Sequence, residues 1–466
     1  MEELFQQMWT RFLRVSERVL DALETGVDYQ KLQEQLRDEL DGLGRAVMRS
    51  VIEAADERLR TNPSERRGWV VAQRGGTKEL LTPFGPLEYS RTYFKHKATK
   101  KHSYLVDGAM GFTPHQRIDA GLKAELVERA TEQSFRRSGR WSRDSGWTVS
   151  GQTVMKASRN VDTAAPRSVP ERGKRRVPYL FVQADEDHVG NQDGPRWEPR
   201  LVTVHEGSAG PPERRRLVHP WRFGGLYLHG DSEQLYEQVW KYLDTTYDLE
   251  HVEGILVSGD GASWIRRLCE YLPGAEFVLD RFHARKYVLS ATGADNELYG
   301  KLWHALKQAD RPRMRSVMSE ALERAETASR YDRIEESRRY LESQWEGIKA
   351  WKRFASIWPG CSAEGDVSHV YAARMSSRPM AWGRNGVDQM SRMRVMKCNG
   401  DSVKKAYLTQ NSRKTTPVRV AQTYFSKVRR QISQNRDLPN VLQAGVPAMG
   451  SSDRGLRRIY RSMMDK

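Results

Sequence analysis

Apolar residues recur at every third or fourth position along the first sixty residues, which is the spacing of one face of an α-helix. One stripe includes Leu4, Phe5 and Phe12, and a second runs through residues 32–52, with a break at Gly26. The pattern predicts two helices. They would form either a helical hairpin packed on its own domain or an arm for dimerisation.

The period changes from residue 66 onward, where short apolar runs at 69–71, 79–81 and 87–94 indicate strands. Gly75-Gly76 and residues 83–86 have sequences typical of turns between strands. We therefore predict a small β-meander in this part of the chain.

A basic region follows the meander. Residues 118–133 have the pattern of a helix, and residues 134–160 have the pattern of a helix-turn-helix DNA-binding motif. Short helix pairs are also common in proteins that do not bind DNA, so an ordinary helix pair is the alternative interpretation. The candidate DNA contacts in this region are Arg136, Arg137 and Arg140.

Strand and helix patterns alternate between residues 177 and 290. The predicted strands are residues 179–184, 201–205, 225–229, 254–258 and 277–279, and the predicted helices are residues 232–244 and 262–271. This order of elements indicates an α/β domain with a mixed sheet.

The chain after residue 290 is predicted to be helical up to residue 378, apart from a break at Pro359-Gly360. Residues 291–355 have a helical pattern throughout, and residues 361–378 form one more predicted helix after Pro359-Gly360. The last segment, residues 391–466, contains 17 basic and four acidic residues. Much of the positive charge of the chain therefore lies in this tail.

Composition narrows the class of protein. The 466 residues include 77 Lys and Arg against 60 Asp and Glu, a formal net charge of +17, which favours nucleic acid as the partner. No run approaches the roughly 18 apolar residues of a membrane helix, and the N-terminus lacks the pattern of a signal peptide. The three cysteines are far apart, so we expect neither a zinc ribbon nor disulfides, and a reducing cytoplasmic location.

Carboxylates follow three of the predicted strands. Asp185, Asp260 and Asp280 each stand at a strand end, and strand ends of an α/β sheet meet at one edge. A carboxylate cluster in a basic chain suits Mg²⁺ or Mn²⁺, two of which can promote phosphodiester cleavage. Asp187 lies on the same strand face as Asp185 and is an alternative to it. His283, three residues after Asp280, either belongs to this site or is structural.

Four motifs resemble those of the bacterial ISLre-type insertion-sequence transposases, which are relatives of the Mutator-like DDE transposases and are also classified as an uncharacterised protein family. The motifs occur in the family's order over essentially the whole chain. They are residues 185–189 (DEDHV), 258–265 (SGDGASWI), 280–286 (DRFHARK) and 364–370 (EGDVSHV) with its continuation 374–382 (RMSSRPMAW).

The resemblance implies a fold and a set of site residues. The fold would be α/β, with an RNase H-like catalytic domain (a mixed sheet flanked by helices) interrupted by an all-helical insertion. Asp185, Asp260 and Glu364 would be the catalytic, metal-binding triad, and Asp280 with His283 would match a further family signature. Asp366 is close enough to Glu364 to be considered as the third acid. The helical insertion contains two other acids that could be mistaken for it, Glu342 and Glu346.

The activity implied is metal-dependent cleavage of DNA at the ends of a mobile element, followed by strand transfer, with two Mg²⁺ or Mn²⁺ ions. The partners would be double-stranded DNA and a second copy of the chain, since two ends must be held together, and no membrane. Arg374 and Arg378 are candidates to hold phosphate, or lie on a solvated helix face. Three tryptophans could stack on bases or pack in the core: Trp345, Trp351 and Trp358.

Three other functions are considered: an RNase H-like nuclease without strand transfer, a non-catalytic DNA-binding protein, and, disfavoured by the charge, a glycosidase. The expected regions are a helical arm (1–62), a β-meander (63–95), a basic helix-turn-helix-like region with linker (96–175), the first part of the RNase H-like domain (176–290), the helical insertion (291–358), the last part of the domain (359–390) and the basic tail (391–466).

Overall fold

The structure is a computed structural model that describes residues 2–26, 28–140, 147–163, 173–211, 214–228 and 231–411. These residues form two compact units. One contains the described residues within 1–51, 77–90 and 115–413, and the other contains those within 52–76 and 91–114. In the part of the chain that the structure describes, no helix has both the length and the apolar character needed to cross a bilayer.

Two long helices begin the chain, as the apolar stripes predict. They are α1 (Glu2–Thr25) and α2 (Tyr29–Thr61). The side chains of Leu20 and Leu23 on α1 are exposed. The structure therefore contains both helices and leaves the interpretation as a dimerisation arm untested.

A three-stranded sheet in the order β1-β2-β3 follows. Its strands are β1 (Trp69–Thr82), β2 (Gly85–His96) and β3 (His102–Ser103). The turn predicted at Gly75-Gly76 is wrong, because β1 continues through both residues. A Cβ on Gly76 would lie 3.0 Å from the hydroxyl of Tyr104, so this glycine makes room for the tyrosine ring.

Short helices fill the basic region. They are α3 (Leu105–Ala109), α4 (Ala120–Ala130), α5 (Phe135–Gly139) and α6 (Gly151–Ser158). The Ser134 and Ser150 side chains cap α5 and α6 by accepting hydrogen bonds from backbone N–H groups in the first turn. Helices α4, α5 and α6 pack on one another. Two short helices thus lie within residues 134–160, as predicted, while residues 141–146 between them lie outside the described residues.

The α/β part contains a five-stranded mixed sheet, which confirms the predicted α/β class. The strands of this region are β4 (Tyr179–Glu186), β5 (Arg200–His205), β6 (Ser208–Ala209), β7 (Arg216–Leu217), β8 (Trp221–Gly225), β9 (Gly254–Gly259) and β10 (Ala275–Leu279). The main sheet has the order β10-β9-β4-β5-β8, and β6 pairs only with β7. Strands β4, β9 and β10 are parallel, whereas β5 is antiparallel to both of its neighbours.

One predicted strand is misplaced. We predicted residues 225–229, but the strand is β8, which ends at Gly225. The charged Arg222 makes this segment look solvated in the sequence. In the structure its guanidinium donates to Asp366 in a largely buried ion pair, so the polar residue belongs inside the strand.

Helices cover both faces of the sheet. On one face, α7 (Ser232–Thr246) and α8 (Ser263–Tyr271) pack on Leu180, Val182 and Val257. On the other face, Phe181 and Val278 pack against the helices after β10. These helices are α9 (Arg281–Thr292), α10 (Asn296–Lys307), α11 (Arg311–Glu323), α12 (Ala328–Ser343) and α13 (Trp345–Arg353). The helical insertion is therefore one layer of the folded core.

All three tryptophans of this region are buried. Trp345 is 5% exposed, the indole N–H of Trp351 donates to the carbonyl of Leu279 at 2.6 Å, and that of Trp358 donates to the hydroxyl of Ser258 at 3.0 Å. Their rings are enclosed by core residues. They pack in the core, and none presents a free face on which a base could stack.

The last described elements cross the predicted boundary between domain and tail. They are α14 (Ala363–Val367), a π-helical turn (Ser368–Ala372), α15 (Ala373–Met375), α16 (Arg384–Cys398) and α17 (Val403–Asn411). The boundary predicted at residues 390/391 falls inside α16, which packs on β8, while α17 packs on α4. The tail therefore begins inside the core, because buried residues such as Met393 and Val403 anchor it there. Residues 412–466, with most of its charge, lie outside the described residues.

Candidate metal centre

The predicted carboxylates meet at one edge of the main sheet. Asp185 is the penultimate residue of β4, Asp260 directly follows β9, and Asp280 directly follows β10. These three strands are parallel neighbours, so their carboxyl ends lie side by side. This is the edge at which α/β sheets place their sites.

Alternation along β4 directs Asp185 toward the insertion side of the sheet. Leu180 and Val182 pack in the core on the side of α7 and α8, whereas Phe181 packs in the core on the other side. Asp185 is four residues after Phe181, so its side chain lies on the same face of the strand as Phe181. The side chain is buried, at 6% exposed. Its Oδ1 accepts a hydrogen bond from the backbone N–H of Glu186 at 2.9 Å. Its Oδ2 is buried with no hydrogen-bond partner among the residues that the structure describes.

His283 and Glu364 complete a cluster with Asp185. One ligand atom from each of the three side chains lies within 4.8 Å of the others. His283 comes from the first turn of α9 and Glu364 from α14, so the cluster joins three separate segments of the chain. Asp260 is half-buried beside this cluster, near enough for its charge to act on Asp185 and on His283.

The charges of this cluster shift the pKa values of its members. Burial raises the pKa of Asp185 to about 7, and the negative charges of Asp260 and Glu364 also raise it. The charge of His283 and the hydrogen bond from the Glu186 N–H lower it, but their effect is smaller. Burial acts to lower the pKa of His283, but the hydrogen bond with Asp280 and the nearby carboxylates raise it overall. The site is thus built to hold positive charge.

Asp280 orients His283. Its Oδ1 accepts a hydrogen bond from the backbone N–H of Phe282 at 3.0 Å and caps α9. Its Oδ2 lies 3.2 Å from Nδ1 of His283. Asp280 is 3% exposed, and both of its oxygens have protein partners. This arrangement leaves the Nε2 atom of His283 as the nitrogen available to a ligand.

The loop that carries Asp260 is fixed from two directions. Its Oδ1 accepts a hydrogen bond from the backbone N–H of Ala262 at 2.7 Å, at the start of α8. Its carbonyl accepts one from the hydroxyl of Tyr340 on α12 at 2.6 Å. Gly261 has φ +88, and a Cβ there would overlap the Gln344 side chain. The helical insertion therefore helps to shape this loop.

Asp366 anchors the helix that carries Glu364. Its Oδ2 accepts hydrogen bonds from Thr203 at 2.8 Å and Gln183 at 3.3 Å, and its Oδ1 accepts one from Arg222 at 3.1 Å. Its carboxylate therefore points into the sheet, whereas Glu364 is exposed toward the cluster. The sequence analysis did not identify the three sheet residues that hold Asp366, which are Gln183, Thr203 and Arg222. The one signal for them in the sequence is the polar side chain of Gln183 within an apolar run.

The remaining candidate acids have other partners. The Ser376 hydroxyl donates its one proton to the carboxylate of Asp187, whose two oxygens lie 2.9 and 2.8 Å from Oγ. Glu342 forms ion pairs with Arg311 and Arg315. Glu346 is paired with Lys349 at the surface. The structure thus brings Asp185, rather than Asp187, into the cluster with His283 and Glu364.

The candidate arginines divide into two groups. Arg374 is 4% exposed and lies against the rings of Phe135 and Trp382, with its Nε donating to the carbonyl of Ala130 at 2.8 Å. It therefore does not lie on a solvated helix face. The exposed candidates are Arg136, Arg137, Arg140 and Arg378.

The donor set fits a divalent cation. Asp185 offers a buried oxygen with no other partner among the described residues, and Glu364 offers a second carboxylate within reach of the same point. Carboxylate oxygens suit Mg²⁺ and Mn²⁺, and an imidazole nitrogen also suits the later transition metals. Asp185 and Glu364, with Asp260 beside them, are the residues that would hold such an ion, and His283 lies within reach of the same point.

Comparisons with known proteins identify relatives over most of the chain. A family model described as "Uncharacterised protein family (UPF0236)" matches residues 22–412. A UPF0236 protein of Caldanaerobacter subterraneus subsp. tengcongensis is 36% identical over 385 residues, covering 82% of this chain and 81% of the relative. A second from that organism, whose name gives eleven locus designations, is 34% identical over 405 residues, covering 86% and 85%.

A more distant relative comes from Streptococcus gallolyticus and is named "UPF0236 protein in vanSb 3′ region". It is 25% identical over 344 residues, covering 72% of this chain and 75% of its own length. The family model spans the main sheet and all the residues of the candidate metal centre. The chain therefore belongs to the UPF0236 family of uncharacterised proteins.

Proposed function

We propose that this protein is a DDE transposase, which cuts DNA at the ends of a mobile element in a metal-dependent reaction and joins the freed 3′-hydroxyl to target DNA. The observation that carries the proposal is the cluster of Asp185, Glu364 and His283 beside Asp260 at one sheet edge. Acids that are far apart in the sequence come together there, and one of them has a buried carboxylate oxygen without a partner among the described residues.

The order of the strands supports an RNase H-like assignment for the catalytic domain. Numbered along the chain, the five strands lie in the order 3-2-1-4-5, with the second antiparallel to the other four. Asp185 then lies on the first strand and Asp260 after the fourth. The third acid, Glu364, lies on a later helix, after the helical insertion.

Each residue has a role that follows from its surroundings. Asp185, Asp260 and Glu364 would hold the ions, which supply activation of water and neutralisation of the leaving oxygen when bound. Because Nδ1 of His283 faces Asp280, Nε2 faces the cluster, where an Nε2–H can donate to a phosphate oxygen and hold the scissile group in place. Asp280 keeps the imidazole in that orientation.

Two further observations favour a mobile element. The exposed arginines on α5 and the net charge of +17 suit a polyanionic partner. One relative has a name that gives eleven locus designations of a single organism, and another has a name that gives four. A protein present at many loci of one genome is what repeated transposition would leave behind.

The first test measures metal binding without requiring activity. Mn²⁺ at about a hundred times its dissociation constant should stabilise the protein by about 2.7 kcal/mol, seen as a rise in the unfolding temperature. Asp185→Asn should remove this rise. Glu346→Gln, which changes a surface carboxylate outside the cluster, should retain it. A rise that is the same in all three proteins would contradict the assignment of the metal centre.

The second test measures the reaction. DNA spanning the flanks of this protein's own gene is incubated with the protein and Mg²⁺ or Mn²⁺, beside Asp260→Ala, and both cuts and joined products are mapped. We expect cuts at inverted flank sequences and joined strands with the unchanged protein only. Cuts without joined strands would instead identify a nuclease. Salt-sensitive binding without cuts under either metal would identify a non-catalytic DNA-binding protein.

A further inference from the structure

A cavity separate from the metal centre lies among α5, α6, the residues before α16, and α16 itself. Its volume is about 240 Å³, just below the roughly 300–1,000 Å³ of typical small-molecule sites, so it has room for one small group. Its lining is mostly apolar, with methionine and tryptophan residues, and it includes Arg374.

Arg374 is an unusual group to find in such a cavity. Its side chain is almost fully buried, and its Nε donates to the Ala130 carbonyl. Its Cζ lies 4.9 Å from the ring centroid of Trp382 and 5.2 Å from that of Phe135. The aromatic rings thus hold the guanidinium, while no carboxylate among the described residues forms an ion pair with it.

Arg394 is a second buried arginine of this protein, and its positive charge has both hydrogen-bond acceptors and a carboxylate as partners. It is also buried, at 5% exposed. Its guanidinium donates to the carbonyls of Val370, His369 and Thr131, and it forms an ion pair with Glu132. Arg394 therefore uses all three of its guanidinium nitrogens within the protein, whereas the Arg374 nitrogen that bonds to a described residue is Nε alone.

Glu132, a carboxylate whose charge acts on Arg374, is paired with Arg394 and Lys397 instead, so the buried guanidinium has no ion-pair partner among the described residues, and such a charge is costly unless an anion binds it. Burial lowers the pKa of Arg374 to about 10, which leaves the group charged at neutral pH. Arg159 lines the same cavity and is itself exposed, so the cavity is open to solvent on that side. Two guanidinium groups match the charge of about −1.5 to −2 that a phosphate monoester carries near pH 7.

We propose that this cavity is a binding site for a phosphate monoester, with Arg374 and Arg159 as its ligands. A phosphodiester inside a strand carries one charge and is attached on both sides, so it suits the cavity less well than a terminal phosphate. The ligand is either the 5′-phosphate at the end of a DNA strand or a free mononucleotide. The first source rests on the proposed function, because cleavage that frees a 3′-hydroxyl leaves a 5′-phosphate on the other side.

The test compares two fluorescent single-stranded oligonucleotides of the same sequence, with and without a 5′-phosphate, by anisotropy in the absence of metal. The full-length protein should bind the phosphorylated form about tenfold more tightly, the effect of one charge-assisted bidentate contact. Arg374→Met should abolish this preference. Arg384→Gln, an exposed arginine on α16 outside the cavity, should keep it. Equal binding of both oligonucleotides by the unchanged protein would overturn the proposal.

A stability measurement separates a ligand-binding role from a structural one. If Arg374 serves only to hold the fold, Arg374→Met should lower the unfolding temperature. If its charge also serves a ligand, the 5′-phosphorylated oligonucleotide should raise the unfolding temperature of the unchanged protein more than the unphosphorylated one does, and this difference should vanish in the variant. Should this variant fail to fold, Arg159→Gln decides, since it should weaken the phosphate preference several-fold, and an unchanged preference would overturn the proposal.

Competition identifies the source of the phosphate. Displacement of the phosphorylated oligonucleotide by dAMP at comparable concentration assigns the site to free nucleotides, and displacement only by phosphorylated DNA ends assigns it to cleaved DNA. Both results support a phosphate site. Because no metal is present and no cutting is measured, the failure of the proposed transposase activity leaves this result unaffected.

Discussion

Arg222 of β8 donates a hydrogen bond to Asp366 of α14 at 3.1 Å, across 144 residues of sequence. Both side chains are largely buried. This ion pair ties the edge strand of the main sheet to the helix that carries Glu364. The position of the third acid of the metal centre therefore depends on a pair of residues that do not belong to it.

We predict that Asp366→Ala destabilises the protein by about 3–5 kcal/mol, because it removes the carboxylate that faces the buried charge of Arg222. Urea denaturation measures the change. The same variant should lose metal-dependent cleavage, since α14 is no longer held on the sheet. The double variant Arg222→Met with Asp366→Leu should recover most of the stability. An Asp366→Ala protein as stable as the unchanged one would contradict this account.

Gly261→Ala should lower the free energy of unfolding by about 1–3 kcal/mol, because φ of +88 strains any residue with a Cβ. The new Cβ would also collide with Gln344 and displace the loop of Asp260. Gly300→Ala is the control, in the interior of α10 with open space around it. We expect that change to be neutral or stabilising, by up to about 1 kcal/mol. Denaturation of both variants would show whether a loss of stability is specific to the loop of Asp260 or follows from replacing a glycine at any position.

Acid should destabilise the fold through His205. Burial lowers the pKa of this histidine to about 4, from an ordinary value near 6.5. The unfolded chain therefore takes up the proton first as the pH falls. Stability is fully present above pH 6.5 and decreases between pH 6.5 and 4, by about 3 kcal/mol for this group.

The measurement is the free energy of unfolding at several pH values, compared with that of His205→Asn. The asparagine cannot be protonated, so its stability should fall less steeply over the same interval. Other groups titrate in both proteins and cancel in the difference. Parallel pH profiles would show that His205 does not contribute.

The arginines of the α5 region should account for part of the salt dependence of DNA binding. Replacing Arg136, Arg137 and Arg140 together by glutamine should reduce the slope of log affinity against log salt by up to about 2.7, because each phosphate that an arginine neutralises adds roughly 0.9 to the slope. Binding to a fixed duplex at several salt concentrations measures the slope.

The matched control replaces three exposed arginines of α12, which removes the same charge from a different surface. They are Arg333, Arg338 and Arg339. We expect that variant to keep the slope of the unchanged protein. If the slope falls equally in both triple variants, net charge rather than contact through α5 governs the affinity.

Pattern and spacing were sufficient to predict the elements around the metal centre. The runs that become β4, β9 and β10 are almost entirely apolar and end in aspartate, because buried parallel strands need no polar face and their ends open toward solvent. The family resemblance, rather than spacing, singled out Glu364. Its helix has only five residues, and nothing local in the sequence distinguishes Glu364 from Asp366 two residues later.

The parts that sequence reasoning misplaced depend on contacts between distant segments. Arg222 made a buried strand look polar, since its partner Asp366 is far away in the chain. Arg374 looked like a surface arginine, but aromatic residues from other segments enclose it. Neither arrangement has a local signature, because each one is a tertiary pairing.

The contact between Gln183 and Asp366 spans 183 residues of the chain. During synthesis the ribosome makes β4 first and α14 only after the whole helical insertion. Asp185 and Asp260 are therefore made well before Glu364, and the cluster cannot form until α14 has been made. A gene copy truncated anywhere between the codons for α10 and codon 364 would encode the sheet and its three strand-end aspartates, but neither Glu364 nor the helices α16 and α17 that complete the core. Such a product would lack both the third acid of the candidate metal centre and the buried side chains that hold the edge strand β8, so every acid of the centre depends on the last part of the chain to be made.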